Sequence, residues 1–254
     1  MKINEFARLI TRPFLARGES DRYKARHRFV AWFARRCGFR IYNHSLKWIE
    51  EDTSPTLMDT LERPVDMNDR KRILQSLAFS VAELPGDTVE CGVFEGASSV
   101  VICDAMEVHE DYRHHVFDSF EGLSEPQPGD LATQEKMVAW KKGDLHGPLE
   151  VVQKNLSRFP FVEYHKGWIP DRFGDVEDRR FKLVHIDVDL YQPTVDSLAF
   201  FYPRMLPGGV LLCDDYGSTL CPGAFRAMNE FFADKPERSV VDLLNGQGLV
   251  VVRR

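Results

Sequence analysis

Two short apolar runs in the second half of the chain each end in acids, and a helix-sized segment separates them. The first is Lys182-Leu-Val-His-Ile-Asp-Val-Asp-Leu-Tyr191, which delivers Asp187 and Asp189. The second is Leu206-Pro-Gly-Gly-Val-Leu-Leu-Cys-Asp-Asp-Tyr216, which delivers Asp214 and Asp215. Asp187 and Asp214 stand 27 residues apart, as expected for the ends of two parallel strands joined by one crossover helix. Neighbouring parallel strands release their C-terminal ends onto one edge of a sheet, where ligands bind. Four carboxylates brought to one edge repel each other unless something offsets their charge, and a hard, oxygen-seeking cation such as Mg²⁺ does so economically. Without a cation, one acid can cap a helix and another face water. That accounts for one or two of the four, but not for all.

The pattern around these runs predicts more strands and helices in alternation. A helix is expected over Asn68–Ala82, stopped by Pro85-Gly86, then a strand over Thr88–Cys91 and a helix from Ala97 to Val108. His114–Phe117, Phe161–His165, Phe181–Ile186 and Gly209–Cys213 read as further strands. Pro148–Arg158, Thr194–Met205 and Pro222–Ala233 read as helices. The polar stretch from Asp118 to Gly147 contains Pro126 and Pro128 and reads mostly as loop, of the length that active-site lids have. Ser239–Leu244 and Leu249–Val252 flank Asn245-Gly246, which signals a β-hairpin. Strands and helices in alternation give a doubly wound, Rossmann-like α/β fold with a parallel sheet covered on both faces. The hairpin adds an antiparallel edge.

Residues 1–60 read as a basic, helical N-terminal extension, with a helical patch at Lys24–Cys37, and residues 61–254 as the main domain. The net charge is −6, yet residues 1–40 hold 11 Lys/Arg against 3 Asp/Glu. The interleaving of Arg22, Lys24, Arg26 and Arg28 with Phe29, Trp32 and Phe33 suits either an anionic surface or a solvated helix docking its aromatic side. The acidic remainder argues against nucleic acid as the main substrate. No apolar run approaches the roughly 20 residues of a membrane span, and no secretory block opens the chain, so a cytoplasmic location is expected. Cys37, Cys91, Cys103, Cys213 and Cys221 form no metal-type spacing and suit reduced thiols.

Three further motifs fall at expected strand ends. In Val89-Glu-Cys-Gly-Val-Phe-Glu-Gly-Ala-Ser-Ser99, a strand runs into Gly92 and Gly96, with Ser98 opening the next helix. Glycines let a ligand approach the backbone, and a helix N-terminus offers free N–H groups. The spacing departs from the dinucleotide fingerprint, and Glu90 suits a cationic ligand, so the motif leans toward a sulfonium-bearing nucleoside over NAD. A plain strand-to-helix turn with capping serines remains open. Asp118 and Ser119 follow the second expected strand, where such folds grip ribose hydroxyls. Gly167-Trp168 follows the third, where the indole either stacks on an adenine or belongs to the core.

Taken together, Val89–Ser99, Phe117-Asp-Ser-Phe-Glu-Gly122, Lys166-Gly-Trp168, His185-Ile-Asp-Val-Asp-Leu-Tyr191 and Pro207–Tyr216 resemble the macrocin O-methyltransferase family over roughly residues 65–254. The resemblance implies the seven-stranded class I fold of methyltransferases dependent on S-adenosylmethionine (SAM), with the hairpin as its last two strands. It implies methylation of a sugar hydroxyl on a natural product, with Glu90, Gly92, Gly96, Ser98, Asp118, Ser119, Gly167 and Trp168 toward SAM. Asp187, Asp214 and Asp215 would ligate Mg²⁺, while Asp189 would not. Asp187 is the first choice of proton acceptor, and His146 a weaker one. Leu190 stands where related catechol-type enzymes carry a lysine. A phenolic acceptor, or a non-catalytic SAM-binding scaffold, are the competing readings. A small hydroxylated acceptor and a homo-oligomer are expected as partners.

Overall fold

In a computed structural model of the chain, seven strands form one sheet in the order β3-β2-β1-β4-β5-β7-β6. The structure describes residues 26, 29–30, 32–34, 36–37, 61, 69–106, 110–130, 140–237 and 239–253. The strands are β1 (Asp87–Cys91), β2 (His114–Asp118), β3 (Val162–Lys166), β4 (Phe181–Ile186), β5 (Met205–Cys213), β6 (Val241–Asp242) and β7 (Gly248–Val251). Strands β1 to β5 pair in parallel, and β7 runs antiparallel to both β5 and β6. The doubly wound seven-stranded sheet with its terminal hairpin is thus the fold that the sequence implies.

Residues 1–53 and 54–254 form two units. In the first, the described residues between Arg26 and Arg36 are helical, within the expected patch, and Arg36 lies over the Trp32 ring at 5.0 Å. The rest of the expected N-terminal extension lies outside the described residues, apart from Cys37. Among the described residues, no helix is long and apolar enough to cross a membrane.

In the second unit, α1 (Asp69–Ser80), α2 (Ala97–Asp104) and α3 (Leu149–Asn155) cover one face of the sheet, and α4 (Tyr191–Phe201) and α5 (Pro222–Phe232) the other. Period-two alternation divides the side chains between these faces. On β5, Leu211 and Cys213 point to the α4/α5 side and Val210 and Leu212 to the α1–α3 side. Every residue of β1 and β4 is buried, as in a central strand covered on both faces. Helix α4 buries Thr194, Ser197, Leu198 and Phe201, an i, i+3, i+4, i+7 stripe.

Two boundaries differ from expectation for identifiable reasons. Helix α4 starts at Tyr191, because Pro193 is tolerated in a first turn and a distant acid serves the helix start: Tyr191 N donates to Asp130 Oδ1 at 2.7 Å. It stops at Phe201, before Pro203, and a 3₁₀ turn, Tyr202–Arg204, leads directly into β5. The hairpin loop is one residue longer than Asn245-Gly246. Gly246 N donates to Leu243 O at 2.8 Å and Leu243 N to Gln247 O at 2.9 Å, with Gly246 left-handed at φ 92°. This is a type I turn closed by a glycine bulge.

The ring of Phe201 is fully buried and meets the rings of Phe117, Phe173, Phe181 and Phe200, with centroids 4.8–5.8 Å away. Phe201→Ala should therefore cost about 3–5 kcal/mol, read as a lower midpoint in urea unfolding. Asp87, at the start of β1, accepts hydrogen bonds from Arg113 N at 3.0 Å, His115 Nε2 at 3.0 Å and Arg179 Nη2 at 2.9 Å. Burial on its own would raise its pKa, but the bonds from His115 and Arg179 outweigh this and hold it below the usual carboxylate range. Its stabilising contribution is complete above the unfolded carboxylate pKa of about 3.9 and is lost as pH falls through the depressed folded value. Asp87→Asn should lower stability at neutral pH and flatten the acid limb of the stability–pH curve below about pH 4, as followed by thermal unfolding across pH.

Candidate functional site

The chain reverses its direction of travel across the sheet between β1 and β4, and parallel sheets bind ligands at such a switch point. A cavity of about 350 Å³ opens there, lined by Gly92, Val93 and Phe94 after β1, Asp118 and Ser119 after β2, Trp168 and Ile169 after β3, and Asp187 to Leu190 after β4. That volume lies within the range of small-molecule sites. Gly92 makes the geometry possible. It is left-handed at φ 79°, and a Cβ on it would lie 1.9 Å from the Asp187 carbonyl oxygen. The ends of β1 and β4 are in turn tied by Asp187 N donating to Cys91 O at 2.9 Å.

Asp118 accepts from Val93 N at 2.8 Å and Phe120 N at 2.7 Å, so its carboxylate is fixed at the mouth of the first turn. Burial raises its pKa, and the backbone donors only partly oppose this. Ser119 lines the cavity, but its hydroxyl serves a turn, donating to Gly122 O at 3.1 Å and accepting from Glu121 N at 3.0 Å. Gly96, Ser98 and Gly167 lie outside the cavity lining. Gly96 is the left-handed residue before α2, and Gly167 N ties β3 to β2 by donating to Asp118 O at 3.0 Å.

Glu90 is placed differently from the expectation that it faces a cationic ligand. It is 1% exposed and points to the α2 side of the sheet. There it accepts a short hydrogen bond from Ser99 Oγ and one from His185 Nδ1 at 3.0 Å. The network continues from Ser99 to His114 Nε2 at 2.9 Å, and from His114 Nδ1 to Thr88 Oγ1 at 2.7 Å. The physical reason is position along the chain: Glu90 lies inside β1 on the face of Thr88, whereas Gly92 lies beyond the strand end, where its left-handed backbone turns along the cavity.

At the acid edge, Asp187, Asp214 and Asp215 offer carboxylate oxygens within 4.8 Å of one another. Burial and then the charges of Asp214 and Asp215 push the pKa of Asp187 well above the usual range. Asp215 is also raised, by burial and Asp214, and its Oδ2 is buried without a hydrogen-bond partner among the described residues. Asp214 goes the other way. Burial alone would raise it, but His185 and Arg70 together hold it below the usual range. Arg70 Nη1 donates to Asp214 Oδ2 at 2.6 Å, Gln247 Nε2 donates to Asp214 Oδ1 at 2.6 Å, and His185 Nε2 stands 3.6 Å from that oxygen. Wedged between Glu90 and Asp214, His185 has its pKa raised well above normal despite burial, which lowers it. An all-oxygen donor set around an unsatisfied buried carboxylate oxygen suits a hard divalent cation better than zinc.

Asp189 is not a member of this trio, but it offers an oxygen within 4.8 Å of ligand atoms of Asp215 and Cys221. It takes a left-handed backbone at φ 58°, lines the cavity, and accepts from Cys221 Sγ at 3.4 Å. Burial and neighbouring Asp215 raise its pKa to about 7. Leu190 is buried on the cavity wall. His146 is exposed and outside the lining. Sequence reasoning missed Arg70, His185 and Gln247. His185 carried a signal, a lone histidine two residues before Asp187 in an apolar strand. Arg70 carried none, since it lies 144 residues from the acid it meets.

The chain is similar to known proteins. A model of the Macrocin-O-methyltransferase (TylF) family matches residues 40–245. The 8-demethyl-8-(2,3-dimethoxy-alpha-L-rhamnosyl)-tetracenomycin-C 4'-O-methyltransferase of Streptomyces olivaceus is 34% identical over 148 residues, 56% of this chain and 57% of that protein. The mycinamicin III 3''-O-methyltransferase of Micromonospora griseorubida is 28% identical over 176 residues, covering 66% of this chain and 68% of that one. The chain thus matches less than two thirds of the length of the Streptomyces olivaceus relative. Among solved structures, the O-methyltransferase NovP superposes with a TM-score of 0.57 at 24% identity, over 73% of this chain and 80% of that chain, and shares the fold. With the family match spanning most of its length, the chain belongs to the macrocin O-methyltransferase family.

Proposed function

We propose that this chain transfers the methyl group of SAM to a hydroxyl of a sugar or glycosylated natural product, in a reaction that depends on Mg²⁺. The observation that carries the reading is that one cavity joins two chemically distinct walls. Asp118, Ser119 and Trp168 form the first, and the acids after β4 form the second. Names of relatives that methylate a rhamnosyl tetracenomycin and a mycinamicin support a glycosylated acceptor. We place this activity in residues 61–254, with residues 1–60 as an extension.

On the first wall, Asp118 is placed to accept hydrogen bonds from ribose hydroxyls, and Trp168 to pack against the adenine. Glu90 acts at a remove, through His185 and the orientation of Asp214. At the second, Asp187 would hold the cation together with Asp214 and Asp215, which stand beside it at the end of β5 outside the cavity lining. When bound, Mg²⁺ supplies Lewis acidity, which lowers the pKa of an otherwise weakly acidic sugar hydroxyl. The acceptor oxygen forms the new C–O bond in line as the C–S bond breaks and its electron pair stays on sulfur. Much of the site's work is to align these atoms. The departing proton passes to a carboxylate on the cavity wall. Asp187 was the sequence's choice, but its place in the oxygen trio commits it to the cation. Asp189 lies on the same wall outside that trio, and we assign the proton to it.

Two variants test these roles. Asp214→Asn should reduce Mg²⁺-dependent methylation of a glycosylated acceptor by about 100-fold or more while leaving SAM affinity by calorimetry within a few-fold. Unchanged turnover would remove the cation from the mechanism, and loss of SAM binding would point to a collapsed site. Asp189→Asn should lower kcat about 100-fold or more with Mg²⁺ affinity little altered. If kcat is untouched, the proton goes elsewhere. A panel of sugar and catechol acceptors, assayed with the native protein, decides the acceptor class; a preference for catechols would overturn the glycoside assignment.

A further inference from the structure

On the α4/α5 side of the sheet, away from the acid edge, three potential ligands converge between β2 and the edge strand β3. His115 on β2 is aligned with Glu163 on β3, and His165 lies two residues further along the same face. His115 Nδ1 stands 3.1 Å from His165 Nε2 and 3.4 Å from Glu163 Oε2, and all three atoms fall within 4.8 Å of one another. Ligands at about 2.0–2.1 Å around a tetrahedral zinc ion are separated by roughly 3.3 Å. The spacing of His115 Nδ1 from both partners therefore already matches a coordination shell.

The outward sides of both imidazoles are held by carboxylates. His115 Nε2 meets Asp87 Oδ2 at 3.0 Å, and His165 Nδ1 meets Asp175 Oδ2 at 3.0 Å. An ionised carboxylate only accepts, so each ring carries its proton on the outward nitrogen. Two lone pairs then face each other across 3.1 Å, with a third acceptor, Glu163, beside them. The carboxylates cannot swing inward to relieve this. Asp87 is held by Arg179 and Asp175 by Arg172, while Arg113 Nε takes the other Glu163 oxygen at 3.3 Å. Three inward acceptors call for positive charge at their centre. A proton shared between the rings is one source, but it bridges only the two nitrogens, whereas a cation also serves the Glu163 oxygen beside them.

We propose that His115 Nδ1, His165 Nε2 and Glu163 Oε2 form a site for a borderline divalent transition ion such as Zn²⁺, distinct from the acid edge. Asp87 and Asp175 orient the two imidazoles, as carboxylates do behind metal-bound histidines. Two ligands are buried and Glu163 is half-exposed, so solvent completes the fourth position. The ion would clamp edge strand β3 to β2 behind the wall of the cavity, since His165 stacks on Phe117 with ring centroids 4.2 Å apart and Phe117 lines the cavity.

The test is a Co²⁺ titration of the chelator-stripped full-length Asp214→Asn protein, which weakens the competing acid edge. It should show one equivalent of Co²⁺ with visible bands of low-coordinate geometry, displaced by Zn²⁺. Adding Glu163→Gln, at an exposed position that leaves the fold intact, should weaken binding at least 10-fold. His165→Gln should abolish the bands, and Asp175→Asn should weaken affinity about 10-fold. Featureless spectra, or equal binding with and without Glu163→Gln, would overturn the site. So would a nitrogen-15 spectrum showing a proton shared between the two imidazoles that persists under excess Zn²⁺.

Discussion

The structure is organised around charge repulsion at the ends of β4 and β5. Asp187, Asp214 and Asp215 are held within 4.8 Å of one another on a largely buried edge. At an effective dielectric constant near 20, two charges 4 Å apart repel by about 4 kcal/mol, so the arrangement persists only because neighbouring groups oppose it. Arg70 reaches in from α1, His185 rises from β4, and Gln247 from the terminal hairpin donates to Asp214. All three act on Asp214, which is why its pKa falls while those of Asp187 and Asp215 rise. The positive charge is concentrated on one member of the trio and leaves the other two as strong oxygen donors.

That distribution explains why distant parts of the domain meet at this point. Arg70 also donates to Asn245 O at 3.3 Å, joining α1 to the hairpin turn. The left-handed Gly246 closes that turn and keeps Gln247 within reach of both Leu243 and Asp214. The antiparallel hairpin therefore both closes the sheet beside β5 and supplies a donor to an acid that β5 delivers. Gly92 has the matching role on the other side, since any side chain there would strike the Asp187 carbonyl and push β1 away from β4.

Much of this was legible in the sequence because it rests on local pattern. The apolar runs, the crossover spacing between Asp187 and Asp214, and the Asn-Gly signal together define the doubly wound sheet and its acid edge. Where sequence reasoning went astray, the cause was a contact from far along the chain. Helix α4 begins early because Asp130 accepts from its first residue, and no local signal reports a donor–acceptor pair 61 residues apart. Glu90 is a different case. Proximity to a glycine turn made it a ligand candidate, whereas alternation along β1 puts it on the face of Thr88, against His185 and Ser99. That evidence lay in the sequence. Arg70 had no comparable signal, because a basic residue in the first turn of a surface helix reads as solvated.

Two histidine sites on opposite faces of the sheet carry their charged groups in opposite order. On the α2 side, Glu90 and Asp214 bracket a single imidazole, His185, and the negative charge on both flanks makes protonation of that ring the favourable answer. On the α4 side the order is inverted, with Asp87 and Asp175 outside and two imidazoles between them. Each carboxylate fixes the proton of the ring it touches on the outward nitrogen, so the inward lone pairs cannot both be satisfied by the rings' own protons. Glu163 adds a third acceptor to the same point. Similar side chains therefore give one imidazole between two acids on one face and two imidazoles between two acids on the other. The second geometry draws positive charge to the point between the two rings.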